Sequence, residues 1–230
     1  MPINNRQSEI VKFIRENNRA SVKKLSSHFF ISEMTVRRDL KELEIQGYIR
    51  RYHGGAIYAH DYENLPIETR RLLNQAEKKL LSERTKKYLR DFSTVFIDSS
   101  STSLFVVPLL SCFKDITVVT NSIQCLIAAS KYHLHCVLAG GNYYEHDMCT
   151  VGSATNAFLR DINVDLGVFS SKGLDDDGVI SDTDEHQTSV RKAIMPNCKK
   201  KIFLFDNTKQ HKKFLYTVCT AEDVDDIIII

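Results

Sequence analysis

Between residues 94 and 230, six short runs rich in β-branched residues alternate with segments of helical pattern. The runs are TVFID (94–98), ITVVT (116–120), LHCVLAG (134–140), VDLGVFS (164–170), KIFLFD (201–206) and DIIII (226–230); the helical segments lie at 103–110, 123–132, 154–160 and 187–195. No other feature restricts the fold as tightly. Strands separated by helices pack by running parallel, with the crossover helices covering the sheet faces, so an α/β domain with a largely parallel sheet is expected. Ligands of such sheets bind beyond the carboxyl ends of the strands.

Five polar loops leave those ends. DSSSTS, residues 98–103, offers the hydroxyls of Ser99, Ser100, Ser101 and Thr102 after Asp98, together with backbone N–H groups at a helix start, a natural phosphate seat. Thr120-Asn121-Ser122 repeats the strand-to-helix device, and Gly140-Gly141 allows close backbone approach at a third end. SSKG (170–173), with Lys172 and Gly173, and DNTK (206–209), with Asp206 and Lys209, add the cations an anionic ligand needs. Any one Ser/Thr/Asn-rich turn more often caps a helix than binds a ligand. Five at corresponding strand ends carry more weight.

The first sixty residues follow another pattern. Ile10, Val11 and Ile14 recur at helical spacing; Ser21 can cap a second helix carrying Val22, Leu25 and Phe29; and Ser32 can cap a third, with Val36, Leu40 and Leu43 as its apolar stripe and Gly47 as its stop. At about 100° per residue, Met34, Arg37, Arg38 and Lys41 fall opposite that stripe and Thr35 on its flank, whereas Asp39 lies about 60° from it. Asp39 is therefore expected in a structural ion pair or hydrogen bond. A short helix, a tight turn and a helix exposing cations form the helix-turn-helix arrangement, whose second helix enters the DNA major groove. YIRRYHGGAIY (48–58) then reads as a hairpin turning at Gly54-Gly55, a wing placing Arg50, Arg51, His53 and Gly54 beside the DNA. Charge agrees: residues 1–60 carry 11 Lys and Arg against 6 Asp and Glu, residues 61–230 carry 20 against 23. The polyanion-binding surplus sits at the front.

A boundary is expected at residues 61–64, followed by a charged connecting helix with Leu72, Leu73, Leu80, Leu81 and Leu89 on its apolar side and its charges assigned to solvation. The six cysteines, with no Cys-x-x-Cys pair and no His at ligand spacing, read as reduced thiols, so neither a metal nor another cofactor is expected. Apolar runs are far shorter than the roughly 20 residues a membrane span needs, and the polar start contains no signal-peptide segment, which points to the cytoplasm.

The run TVRRDLKELEIQGYIRRYHGGA, with Arg6 and Ile10 upstream and LSSHFFIS between, resembles the N-terminal domain of the DeoR family of bacterial transcriptional repressors. FIDSSST, TNS, AGG, Gly152, KGL...DGVISD and FDNTK resemble that family's sensor domain, which is similar to the ribose-5-phosphate isomerase, glucosamine-6-phosphate deaminase and CoA-transferase folds. The resemblance implies a winged helix-turn-helix domain over 1–60, a linker and connecting helix over 61–92 and an α/β effector-sensing domain over 93–230. It implies double-stranded operator DNA as partner, read by Met34, Thr35, Arg37, Arg38 and Lys41 on the helix that Ser32 begins, in a homodimer or homotetramer. It also implies a phosphorylated sugar effector held by Asp98, Ser99, Ser100, Ser101, Thr102, Asn121, Gly140, Gly141, Lys172, Gly173, Asp206 and Lys209. The chain departs from the family's Asp-Ser-Gly-Thr-Thr at Ser100 and Ser101, has Gln210 where Gly is usual, and ends in DDIIII where Thr-Asp usually follows.

Three functions fit these features: a repressor relieved by a sugar phosphate, a sugar-phosphate isomerase or deaminase with a DNA-binding head, and a constitutive DNA-binding protein with a degenerate pocket. Asp98, Glu185, Asp206 and Lys209 are the groups that acid–base chemistry would draw on, but no nucleophile, His and carboxylate constellation accompanies them. The regulator is the leading expectation.

Overall fold

The computed structural model describes residues 4–58 and 67–230, so the boundary expected at 61–64 lies outside the described residues. The chain divides into two compact units, Met1–Leu73 and Asn74–Ile230.

In the first unit, α1 (Asn5–Glu16) starts from a capping box: Asn4 Oδ1 accepts from Gln7 N–H, and Gln7 Oε1 accepts from Asn4 N–H. β1 (Arg19–Ser21) leads into α2 (Val22–Phe29), and the Ser21 hydroxyl accepts from Lys24 N–H. Ser32 caps α3 (Glu33–Ile45) in the same way, accepting from Thr35 N–H at 3.2 Å. Ile10, Ile14, Leu25, Val36, Leu40 and Leu43 close one core. β2 (Ile49–Tyr52) and β3 (Gly55–Tyr58) form the hairpin, and β1 joins it to give an antiparallel sheet of order β1-β3-β2. The turn differs from expectation. Tyr52 pairs with Gly55, so His53 and Gly54 are the turn residues, Gly54 at φ +95°. Gly55 is a strand residue instead, because a Cβ there would lie 2.3 Å from the Ala20 carbonyl oxygen of the neighbouring strand.

The connecting helix is also not continuous. α4 (Ile67–Arg70) ends in a turn at which Leu73 packs against Ile57, and Asn74 takes the left-handed conformation (φ 49°, ψ 38°), which no α-helix can pass through. α5 (Gln75–Arg84) then opens the second unit.

That unit continues through β4 (Thr94–Ile97), a 3-10 turn and α6 (Val107–Leu110), β5 (Thr117–Thr120), α7 (Ile123–Lys131) and β6 (His135–Leu138). A hairpin of β7 (Asn142–Tyr144) and β8 (Cys149–Val151) precedes α8 (Ser153–Arg160) and β9 (Val164–Phe169). β10 (Gly173–Leu174), β11 (Val179–Asp182), α9 (Glu185–Ile194), β12 (Cys198–Phe205), β13 (Tyr216–Thr220) and β14 (Asp226–Ile229) complete it. All six runs singled out in the sequence become strands of one parallel sheet, order β14-β12-β9-β4-β5-β6. Alternate residues serve opposite faces: Phe96, Phe169, Phe203 and Phe205 enter one core, Val95, Ile97, Val168, Ile202 and Leu204 the other. The β7–β8 hairpin and the antiparallel sheet β10-β11-β13 were not foreseen.

The strand order reverses between β4 and β9, since β5 and β6 extend one way and β12 and β14 the other. This is the topological switch point, and Asp98 and Ser170 are the residues that leave it. All six cysteines are free thiols. Among the described residues no helix is long and apolar enough to cross a membrane.

Candidate functional site

The outward face of α3 is exposed. Met34 is 80% exposed. Arg38 and Lys41 are exposed and make no hydrogen bond or ion pair with another described residue. Arg37 Nη2 instead lies 2.8 Å from Glu33 Oε2, and the Thr35 hydroxyl lies 2.9 Å from that of Ser32. On the wing, Arg51 is held by Glu44 through Nε and its backbone N–H, both at 2.8 Å, while Arg50, His53 and Gly54 are exposed. Behind this face, Asp39 is 1% exposed and accepts two hydrogen bonds from Arg6, at 2.8 and 2.9 Å. That fork, with Gln7 Nε2 donating to Glu42 at 2.6 Å, docks α1 onto α3.

In the second unit, the loop after β4 lies beneath lysines from two separate elements. Lys209 Nζ donates to Thr102 Oγ1 at 3.1 Å and to Ser170 Oγ at 2.7 Å. Lys78, on α5 and 3% exposed, donates to Ser101 Oγ at 3.1 Å. The solvation reading of the connecting segment's charges fails at Lys78, whose place one turn into α5 turns it inward. Burial pushes the Asp206 carboxyl up, but Lys209, the Thr208 hydroxyl and Lys78 outweigh it and hold the group below the usual carboxylate range. Ser101, Thr102, Ser170, Asp206, Lys209 and Lys78 thus converge at the ends of β4, β9 and β12.

Asp98 does not open into that space. Its carboxylate accepts from Ser100 N–H and Ser170 N–H, from the Ser103 hydroxyl, and from Arg191 Nε at 3.0 Å. Arg191 Nη1 also donates to Asp182 at 2.9 Å, and Asp182 accepts from Thr183 N–H, Asp184 N–H and Ser171 Oγ. Burial pushes the Arg191 guanidinium down, yet Asp182 and Asp98 outweigh it and keep the group charged. Asp98 therefore fixes the loop. Ser99 donates to Gln187, whose amide donates to Asp147. Ser100 accepts from Ser103 N–H, and neither Ser100 nor Gln210 has a positive φ, so the two positions where the chain departs from glycine suit the residues present.

The remaining expected residues are engaged elsewhere. Asn121 is fully buried with Nδ2 on the Thr150 carbonyl, and its Oδ1 has no partner among the described residues. Gly140 accepts from Thr155 through its carbonyl, and Gly141, at φ +147°, has Thr155 Oγ1 where a Cβ would fall, on the sheet's β6 edge two strands from β4. Lys172 reaches the Thr183 hydroxyl, and Gly173 lets the Lys212 carbonyl and Phe214 ring pass. Glu185 is exposed and Asp98 is locked, so of the four acid–base candidates only Asp206 and Lys209 come together.

Comparison with known families matches residues 6–61 to the DeoR-like helix-turn-helix domain and residues 73–229 to the DeoR C terminal sensor domain. The chain belongs to the DeoR family. This DeoR-family protein is 28% identical over 223 residues to the glycerol-3-phosphate regulon repressor of Escherichia coli (strain K12), covering 96% of this chain and 88% of that one. It is 29% identical over 211 residues to the HTH-type transcriptional repressor CsqR of the same organism (90% and 80%) and 27% identical over 231 residues to the HTH-type transcriptional regulator IolR of Bacillus subtilis (strain 168) (96% and 92%). The matched domains and these relatives make it a transcriptional regulator rather than an enzyme. The fold is shared with eIF2B delta from Chaetomium thermophilum, at a TM-score of 0.51, 10% identity and 70% of this chain. A structure of D-ribose-5-phosphate isomerase in complex with phospho-erythronic acid gives 0.46 at 16% identity over 59% of the chain. The chain spans little more than half the length of these two structures, 57% and 54%.

Sequence reasoning missed Lys78, Arg191 and Asp182. Lys78 was hidden among seven other cations of the same segment, residues 61–92. Arg191 carried no signal, because one arginine on an amphipathic helix looks like every solvated one.

Proposed function

We propose that this regulator is a repressor that binds operator DNA as a dimer, through α3 in the major groove and the hairpin beside it, and that a phosphorylated sugar or related polyol phosphate in the second unit relieves that binding. The observation that carries the effector half is the convergence of Lys78 and Lys209 on Ser101, Thr102 and Ser170 at the switch point. Two ammonium groups that share the one buried carboxylate of Asp206 and touch hydroxyls of two loops carry more positive charge than that carboxylate balances, which suits a phosphate dianion. Met34, Thr35, Arg37, Arg38 and Lys41, with Arg50, Arg51, His53 and Gly54 on the wing, form the DNA-contacting set. A relative named for a glycerol-3-phosphate regulon supports a small phosphorylated polyol as the ligand class.

The test is a thermal-shift panel of phosphorylated hexoses, pentoses, ketoses and glycerol 3-phosphate, followed by gel-shift titration of a selected duplex with each stabilising compound. At least one compound should raise Tm and weaken DNA binding. Stabilisation by none, with DNA binding unchanged across the panel, defeats the sensing half and leaves a constitutive DNA-binding protein.

A further inference from the structure

We propose that the Glu33–Arg37 pair at the start of α3 is a two-residue reader of a C·G base pair, with Glu33 setting specificity and Arg38 and Lys41 supplying affinity. This rests on α3 being the helix that enters the major groove. Around the helix axis, with Val36 at zero, Glu33 falls at about 60°, Arg37 at 100°, Lys41 at 140°, Met34 at 160° and Arg38 at 200°. Arg37, Lys41, Met34 and Arg38 therefore form one outward arc, and Glu33, exposed at the helix start, flanks it beside Arg37.

Within that arc the cations are not equivalent. Arg37 is tied to Glu33, Oε2 to Nη2 at 2.8 Å, with side chains 60% and 45% exposed. Arg38 and Lys41 have no such partner among the described residues. An exposed carboxylate on a surface that meets phosphates weakens binding to every duplex, so Glu33 is a cost unless it finds a donor. In the major groove the donor next to guanine O6 is the N4 amine of the paired cytosine. Glu33 Oε1 and the remaining N–H groups of Arg37 present an acceptor beside a donor fork, the complement of that edge. The Ser32 cap and the 3.2 Å bond from Thr35 N–H fix the first turn that carries Glu33, so the pair is arranged before DNA arrives. A helix-stabilising i,i+4 pair would have the same geometry in the free protein, and base preference separates the two roles.

Rounds of selection from a duplex pool with a randomised core, using the full chain, provide the test. Wild type should enrich C·G at one position of its motif. Glu33→Ala should reduce that preference about tenfold while leaving the rest of the motif unchanged and binding mixed-sequence duplex more tightly. Glu33→Gln should move the same position toward A·T, since an amide pairs with adenine N6 and N7. Arg38→Ala should weaken binding to all duplexes alike and lower the slope of log affinity against log salt by about 1. Identical motifs from wild type, Glu33→Ala and Glu33→Gln overturn the inference while leaving α3 as the DNA-entering helix. Failure of wild type to retain any duplex overturns that helix assignment as well, so the two failures are distinct.

Discussion

Replacing Lys78 by Met keeps most of the apolar stem that α5 buries and removes the ammonium 3.1 Å from Ser101 Oγ. A hydrogen bond from a charged group contributes about 1.5–3 kcal/mol, so a phosphate held by Lys78 should bind about 10- to 150-fold more weakly. The free protein should lose about 1 kcal/mol or less, because Asp206 keeps Lys209 nearby and the backbone N–H and hydroxyl of Thr208. A ligand at one hundred times its Kd stabilises by about 2.7 kcal/mol, and a tenfold weaker one at the same concentration by about 1.4 kcal/mol. In a unit of this size each kcal/mol moves Tm by about 2–4 °C, so the ligand-induced rise should shrink by about 3–5 °C. Scanning fluorimetry with a sugar phosphate that stabilises wild type measures this directly. An unchanged ligand-induced rise, in a variant whose free Tm matches wild type, would refute the placement of phosphate against Lys78.

Other perturbations bear on separate parts of the chain. Asp39→Ala removes the acceptor of the Arg6 fork; with Arg6 38% exposed the loss should be about 2 kcal/mol, and hydrogen exchange in α1 should quicken about 30-fold while the second unit is unaffected. Asp206 has its carboxyl held below the usual range, so its stabilisation is complete above the unfolded pKa and disappears as pH falls through the lower folded value. Asp206→Asn should accordingly lose more stability at pH 7 than at pH 3, read by urea unfolding at the two values. Gly141→Ala would set a Cβ 2.0 Å from Thr155 Oγ1 at φ +147° and should cost about 1–3 kcal/mol, whereas Gly140→Ala meets nothing within 4 Å and should change stability by less than about 0.5 kcal/mol in the same assay.

What could be read from the chain followed from periodicity. The four inner strands of the sheet are mostly buried, so their hydrophobicity marked them, and Ser21 and Ser32 announced two helix starts because each caps with its own side chain. The antiparallel sheet β10-β11-β13 escaped notice because β10 is two residues long and β13 pairs with β11 across a bulge, leaving no alternation to detect. The break at Asn74 is invisible to periodicity as well, since Leu73 and Leu81 keep a helical phase on either side of it. Among the residues proposed to hold the effector, those at the ends of β4, β9 and β12 were legible from position in an α/β pattern. Lys78 and Arg191 enter from helices, and only the packing of those helices decides which of many cations turns inward.

Arg191 has a consequence for how the sensing unit fails. Its guanidinium joins Asp98 and Asp182, and through them the loops at 98–103, 170–171 and 182–184 share one buried charge balance. Displacing any one loop strands a carboxylate or the guanidinium in the interior, at a cost of about 3–5 kcal/mol. States with a half-formed effector loop are thereby held below about one molecule in a hundred. Substitutions that break this charge triad, unlike Lys78→Met, which leaves it intact, should therefore not give a graded sensor with weakened affinity; they should give a mixture of molecules that sense fully and molecules that do not sense at all.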